Sequence, residues 1–161
     1  SGSQVRPMTN RSTTERATAA RARLESEPSI WLATASSDGF PHLVPLSLAW
    51  IDEQIVVATP SDTPTARNAE WSGRVRAALD SADDVVIFDA DVAVIDFDDA
   101  ETSLAARYVD RVGWDPRNNP GAWALLVLTP RRAQAWNSPS EIAGRTIIRD
   151  GQWLDGPSFR P

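Results

Sequence analysis

Apolar positions along the chain come in short runs broken by small turn-forming residues, and the first such runs read as strands. Between Ser29 and Ala35, Ile30, Leu32 and Ala33 alternate weakly with Trp31 and Thr34, and Pro41 to Trp50 is again apolar and strand-like. Ser36-Ser37-Asp38-Gly39 lies between these runs; an Asp-Gly pair there signals a hairpin, because the turn needs a positive φ that glycine adopts without steric cost. The two runs are therefore expected to pair antiparallel. A second turn at Asp52-Glu53 leads into Gln54 to Thr59, with Ile55, Val56 and Val57, so the pattern predicts a three-strand meander.

Around this meander the pattern predicts helices and further strands. Ser12 to Glu25 is rich in Ala, Arg, Glu and Leu, and Ser12-Thr13-Thr14-Glu15 has the form of a capping box, so a helix is expected that ends before Pro28. After Pro60, Ser61-Asp62-Thr63-Pro64 places a cap before a proline, predicting a short helix over Thr65 to Trp71. Val75 to Leu79 reads as a fourth strand, and Val85 to Phe97 as a long one that Asp89 and Asp91 interrupt, which implies a bulge or an exposed edge. Leu104, Arg107, Tyr108 and Val112 stand at helical spacing within Ala100 to Val112, closed by Gly113. Trp114 to Gly121 is a Pro- and Asn-rich loop; Trp123 to Thr129 and Arg132 to Trp136 form a strand bent at Pro130; Arg145 to Arg149, Asp150-Gly151 and Gln152 to Leu154 form a terminal hairpin. Strands in meander order with few helices between them predict a mainly β fold, an antiparallel barrel with short helices and not an open α/β sheet.

Composition narrows the function. The 161 residues suffice for one core, so a single domain over 12–161 is expected, with Ser1 to Arg11 a disordered polar arm or partly an expression remnant. A hydrophobic share of 42% with 24% charged residues is that of an ordinary folded protein. The net charge of −6 argues against nucleic acid as a partner. No apolar run is long enough to cross a membrane and no secretory signal precedes the first helix, so the expected location is cytoplasmic. Cysteine is absent, and all 16 basic side chains are arginine. A bound anion held by a cationic side chain must therefore be met by an arginine fork, and Schiff-base lysine chemistry is excluded.

The stretch Ile55 to Asn68 carries the most chemistry. It sets Thr59, Ser61, Thr63, Thr65 and Arg67 between the end of a strand and the first turn of a helix, where free N–H groups and the helix dipole favour an anion such as phosphate. The alternative is that the hydroxyls only cap the helix and Arg67 pairs with Glu70. His42, the single histidine, is the natural acid or base but more simply a packing residue. Of seven tryptophans, Trp31, Trp50 and Trp123 read as packing, and Trp71 and Trp136 as packing or as walls of a ring-binding cleft. Asp83, Asp84, Asp89, Asp91, Asp96, Asp98 and Asp99 lack calcium-loop spacing and read as a solvated acidic edge, so no metal site is expected. Hydrolase triads, dinucleotide fingerprints and P-loops find no match.

Leu32-Ala33-Thr34, then Asp38-Gly39-Phe40-Pro41-His42-Leu43-Val44-Pro45-Leu46, then Thr59 and Arg67-Asn68, together resemble the pyridoxamine 5′-phosphate oxidase-like family of FMN- and F420-binding split barrels. The similarity keeps good register from Ile30 to Leu79 and runs more loosely to Leu154. The resemblance implies an antiparallel split β-barrel, a homodimer with two cofactor sites each lined by both chains, and F420 or FMN as cofactor. It implies that Val44, Pro45, Leu46 and Ser47 line the ring system, that Ala58 and Thr59 lie near the ring or ribityl chain, and that Thr65, Arg67 and Asn68 face the phosphate. Thr65 stands where many members carry lysine, which leaves Arg67 as the main cation. The implied activity is hydride transfer from the reduced cofactor to a small conjugated substrate, with the cofactor and no protein acid or base supplying the chemistry. A carrier or sensor binding flavin, F420 or haem is the alternative on the same fold. Arg74, Arg76, Arg131 and Arg132 are candidates for the polyglutamyl tail of F420.

Overall fold

The computed structural model describes residues 10–155, so most of the expected N-terminal arm lies outside the described residues. Asn10 and Arg11, read as part of that arm, are tied down: Asn10 Nδ2 donates to the Ser140 carbonyl, and Arg11 binds the Glu141 carboxylate. Helix α1 (Thr13–Ser26) starts at the predicted capping box, with Ser12 Oγ accepting from Glu15 N and Glu15 Oε1 accepting from Ser12 N, both at 3.0 Å. Its Ala17, Ala20 and Leu24 are buried against the barrel interior.

The strands are β1 (Ser29–Ala35), β2 (Pro41–Ser47), β3 (Ala49–Ile51), β4 (Gln54–Pro60), β5 (Arg74–Ala78), β6 (Val85–Asp96), β7 (Trp123–Trp136), β8 (Thr146–Arg149) and β9 (Gln152–Trp153). Helix α2 (Pro64–Ser72) lies between β4 and β5, and α3 (Thr102–Val112) between β6 and β7. Along the sheet the strand order is β2-β1-β5-β6-β7-β4-β3, all antiparallel, with β8 paired to β7 and β9 to β8.

This order corrects the expected meander. The apolar run from Pro41 to Trp50 is two strands: β2 pairs with β1, and β3 pairs with β4. Leu48 between them sends its N–H to the Pro28 carbonyl at 3.0 Å and its side chain fully into the core. The two ends of the sheet are thus consecutive pieces of one run of chain, which closes the sheet into a barrel and leaves the split at the Ser47–Ala49 junction. The hairpin turn at Asp52-Glu53 holds both residues at positive φ, 51° and 63°, as a two-residue turn of this twist requires.

The expected bulge is present, on the partner of the acidic strand. Asp89 faces Arg132 while Ala90 faces Pro130, so Arg131 is the extra residue in β7, which runs through Pro130 without a break.

Two apolar layers result. Inside the barrel lie Ile30, Leu32, Ile55, Val57, Val75, Phe88, Leu126, Leu128 and Ile148. On the outer face, α3 lays Ala105 and Tyr108 over Ala49, Ile51, Val56, Ala58 and Leu125. Strand β4 is therefore buried on both sides, which explains its unbroken apolar run. The outer face of β1 and β2 has no such cover: Trp31 and Leu43 are exposed there, Leu43 by 61%, with Phe40 at the hairpin tip exposed by 73%. Among the described residues no helix is long and apolar enough to cross a membrane.

Candidate functional site

Helix α2 begins where unpaired N–H groups gather at the end of β4. Thr63 is its N-cap, accepting from Ala66 N at 3.3 Å, and Pro64 opens the first turn without an N–H to satisfy. Thr59 Oγ1 lies 3.1 Å from Thr63 Oγ1, so these hydroxyls form one chain at the helix start. Arg67 is exposed, makes no ion pair with Glu70 or any other described residue, and folds back so that Nη1 donates to the Asp62 carbonyl. Its charge is thereby carried to the N-terminal end of α2, where an anion is favoured.

The other two residues expected at a phosphate face the opposite way. Thr65 and Asn68 are buried on the side of α2 that meets the barrel, and Asn68 Nδ2 donates to Thr34 Oγ1 of β1 at 3.1 Å. His42 of β2 pairs in register with Thr34 and is half-buried. Arg67 is thus the one member of that trio whose polar end is exposed.

The residues expected along the ring fall into two groups. Val44, Pro45 and Leu46 alternate across β2: Val44 and Leu46 are half-buried opposite Leu32 and Ile30, and Pro45 is exposed opposite Trp31. Ser47 and Ala58 meet through a residue that sequence reading places only on a helix stripe. Tyr108 of α3 accepts the Ala58 N–H at 3.0 Å and donates to the Ser47 carbonyl at 3.1 Å. Trp114 adds a hydrogen bond from Nε1 to Ser47 Oγ at 3.2 Å and packs edge-on against Trp123. Burial raises the Tyr108 phenol well above its ordinary value, so it stays protonated as a donor. The atoms of Ser47 and Ala58 expected to meet a cofactor already have partners within the chain.

Beside α2 lies a cavity of about 500 Å³, lined by Ala33, Thr34, Ala35 and Val75 with Ser72, Arg74, Arg76 and Asp89. Arg76 is ion-paired to Asp89; Arg74 has no carboxylate partner among the described residues. The cavity has the size of a ligand site and an apolar wall with few polar groups, as such sites have. Trp71 projects into solvent from α2 and Trp136 carries the Arg145 guanidinium over its ring, so neither walls this cavity.

The acidic stretch is not simply solvated. Asp84 pairs with Arg11 and Arg23, Asp89 with Arg76, and Asp91 with Arg131. Among the described residues no group of three or more His, Asp or Glu side chains is placed to hold a metal ion.

Residues 17–137 match the family model described as pyridoxamine 5′-phosphate oxidase, from within α1 to the end of β7. Among solved structures, the heme binding protein from Mycobacterium smegmatis aligns with a TM-score of 0.62 at 17% identity, over 89% of this chain and 60% of that one. An F420 reductase aligns with a TM-score of 0.57 at 18% identity, over 70% of this chain and 94% of that one. A pyridoxamine 5′-phosphate oxidase-related, FMN binding protein from Nostoc punctiforme aligns with a TM-score of 0.53 at 12% identity, over 74% and 82%. Identities this low establish a shared split-barrel fold. No curated protein matches the chain.

Proposed function

Because the chain belongs to the pyridoxamine 5′-phosphate oxidase family, we propose that it binds a flavin or deazaflavin beside α2 and serves hydride transfer to a small conjugated organic substrate in the cytoplasm. The carrying observation is the cavity against β1 and β5, whose wall of Ala33, Ala35 and Val75 suits a planar ring and whose lining includes Arg74, without a carboxylate partner among the described residues. When bound, the cofactor supplies the hydride; the chain binds it, orients it and keeps water from the reacting face. Arg67 at the start of α2 is the proposed phosphate anchor, with Arg74 the nearest alternative cation at the cavity itself. The Thr34–Asn68 hydrogen bond fixes α2, which carries Arg67, on β1, while Arg74 is placed by the pairing of β5 with β6.

The proposed active form is a homodimer. The outer face of β1 and β2 exposes Trp31, Leu43 and Pro45 with no helix over them, while α3 covers the opposite outer face. An uncovered apolar sheet face of this kind marks an interaction surface.

A second reading, a carrier or sensor without turnover, draws support from the Ser47 and Ala58 atoms that are already bonded to Tyr108 and Trp114. The test is a parallel titration of the purified apo-protein with FMN, F420 and haem, followed by fluorescence quenching and by haem absorbance. Saturable binding of FMN or F420 is expected, followed by turnover in a screen of conjugated carbonyl substrates. Haem binding alone, or none of the three, would sink the oxidoreductase reading, and flavin binding without turnover would favour the carrier.

A further inference from the structure

On the outer face of the barrel a second groove, of about 380 Å³, runs between α3 and β6 and shares no residue with the cavity beside α2. Asp89, Asp91, Ala93 and Ile95 lie on one face of β6, since successive residues of a strand alternate. Asp89 and Asp91 are ion-paired with Arg76 and Arg131, and the face then turns apolar at Ala93 and Ile95. Helix α3 packs over β3, β4 and β7 and stops short of β6. Ala93 is therefore exposed, and Ile95 and Leu104 are only half-buried beside it.

The polar groups of this groove stand at its two ends. At the start of α3, Asp99 and Glu101 are exposed and form no ion pair among the described residues, and Glu101, the N-cap, makes no side-chain cap hydrogen bond. At the other end are Asp52, held by Arg107 Nη1 at 2.9 Å, and Gln54, whose Nε2 donates to Thr129 Oγ1 and leaves the amide oxygen as an acceptor. The lining thus sets three carboxylates against one guanidinium, which is already engaged. Free N–H groups at a helix start draw anions, but here two carboxylates already stand there with no cation paired to them.

The separation of the ends selects the ligand. From Glu101 to Arg107 is roughly 9 Å along the helix at about 1.5 Å per residue, and Ile95 to Ala93 lays about 7 Å of apolar strand beneath it. A single ammonium meets one end only. A ligand cationic at both ends places each ammonium on oxygen acceptors and lays the hydrocarbon between them on Ala93, Val127 and Leu104. Ammonium–carboxylate hydrogen bonds are strong, and an acidic groove with apolar walls concentrates cations. The Asp52–Arg107 pair is exposed and so weakly held, which lets the second ammonium share that carboxylate.

We infer that this groove is a binding site for an aliphatic α,ω-diamine, separate from the cofactor site and independent of which cofactor fills it. Calorimetry on the full-length protein decides it with three probes: cadaverine; n-pentylamine, which has the same carbon chain and one ammonium; and glutarate, which carries carboxylates in place of the ammoniums. Cadaverine should bind at least tenfold tighter than n-pentylamine, with an affinity that falls as salt is raised, and glutarate should not bind. The double variant Asp99→Asn, Glu101→Gln should bring cadaverine down to the level of n-pentylamine. Both residues are exposed and neither side chain caps α3, so the variant should fold as the parent does and bind FMN or F420 within twofold of it. No binding of cadaverine, or equal affinity for cadaverine and n-pentylamine, would overturn the inference. So would cadaverine binding undiminished in the double variant, which would mark a general attraction to an acidic chain. Glutarate binding in place of cadaverine would make the start of α3 an anion site instead. A lysine-rich peptide that binds through Asp99 and Glu101 while cadaverine does not would assign the groove to a protein partner and overturn the diamine.

Discussion

The hydroxyl of Tyr108 accepts the backbone N–H of Ala58 at 3.0 Å, taking the place of a strand partner at the split of the barrel. Beyond Val56 the β3 edge ends, and β4 would face β2 with an unpaired donor. Through its second bond, to the Ser47 carbonyl, the phenol joins the end of β2 to β4 across the gap. A buried N–H without a partner is costly, so α3 stabilises the split as well as covering it. Tyr108→Phe keeps the ring contact with Phe97 and removes only this bridge. The loss should be about 1–2 kcal/mol, seen as a fall of about 3–6 °C in Tm. The same tyrosine has a pH signature. Its folded pKa is raised above the ordinary value of 10, so the stabilisation is complete below pH 10 and is lost as pH rises beyond it. Thermal melts across the alkaline range should show this loss in the parent and not in the variant; parallel curves would remove the role assigned to the phenol.

At the opposite end of the pH scale the sensitive group is Glu141, which is 1% exposed. Its carboxylate accepts from Arg11 Nη2 at 3.0 Å, from Arg11 N at 2.8 Å and from Asn137 N at 2.9 Å. The Arg11 side chain, before the backbone donors, holds its pKa down at about 2, against the usual 4.5. A depressed carboxylate adds stability that is complete above pH 4.5 and disappears as pH falls through about 2. Glu141→Gln should cost about 2–3 kcal/mol at neutral pH, or a Tm lower by about 5–10 °C. It should also flatten the acid limb of the stability curve; an acid limb as steep as the parent's would show that other groups carry the titration.

How far the sequence reveals this molecule depends on how local each cause is. The Ser12–Glu15 box, the Asp38-Gly39 turn and the Thr63-Pro64 cap act within a few residues, so the elements they bound, from α1 to β1 and from β4 to α2, are legible in the order of the residues alone. The break at Leu48 is not. Val44 to Trp50 contains no Gly, Asn or Asp to mark a turn, and the strand divides because its two halves serve opposite ends of one sheet. The same holds at the site. Arg67 at a helix start can be read from spacing, but the Tyr108 bridge to Ser47 and Ala58 spans distant segments and shows itself in the sequence only as a helical stripe. Trp114 lies in a loop whose composition does not single it out. Arg74, Arg131 and Arg132 line one groove; Arg76 is bound instead to Asp89, and Arg149 joins them through the β7–β8 pairing, which periodicity cannot foresee.

Arg67 provides the most direct test of where a phosphate sits. It is the exposed cation at the start of α2, and the only described hydrogen bond of its guanidinium is to the Asp62 carbonyl, which an incoming anion can outbid. Arg67→Ala should weaken binding of FMN or F420 at least tenfold, equivalent to about 1.4 kcal/mol. The melting temperature should change little, since an exposed side chain without an ion pair contributes little to folding. Arg74→Ala is the control. If it reproduces the loss and Arg67→Ala leaves affinity unchanged, the anion lies in the cavity against β5 and not at the helix start.

The uncovered face of β1 and β2 leads to a prediction about assembly. Trp31 pairs in register with Pro45, and Ala33 with Leu43, so these four side chains form one apolar patch on the outer side of the hairpin. Leu43 is exposed by 61% in the single chain, so an acidic residue there should cost little in folding. In a dimer built on this face the same residue would be desolvated without a partner, and in an isologous contact it would be placed in both subunits at once. Leu43→Asp should therefore convert a dimer to a monomer in sedimentation velocity while the Tm of the monomer stays within a few degrees of the parent's. Cofactor affinity should fall with it if each site draws on both chains. A variant that remains dimeric would move the interface to another surface; a variant that becomes monomeric but binds cofactor as before would show that one chain suffices to build the site.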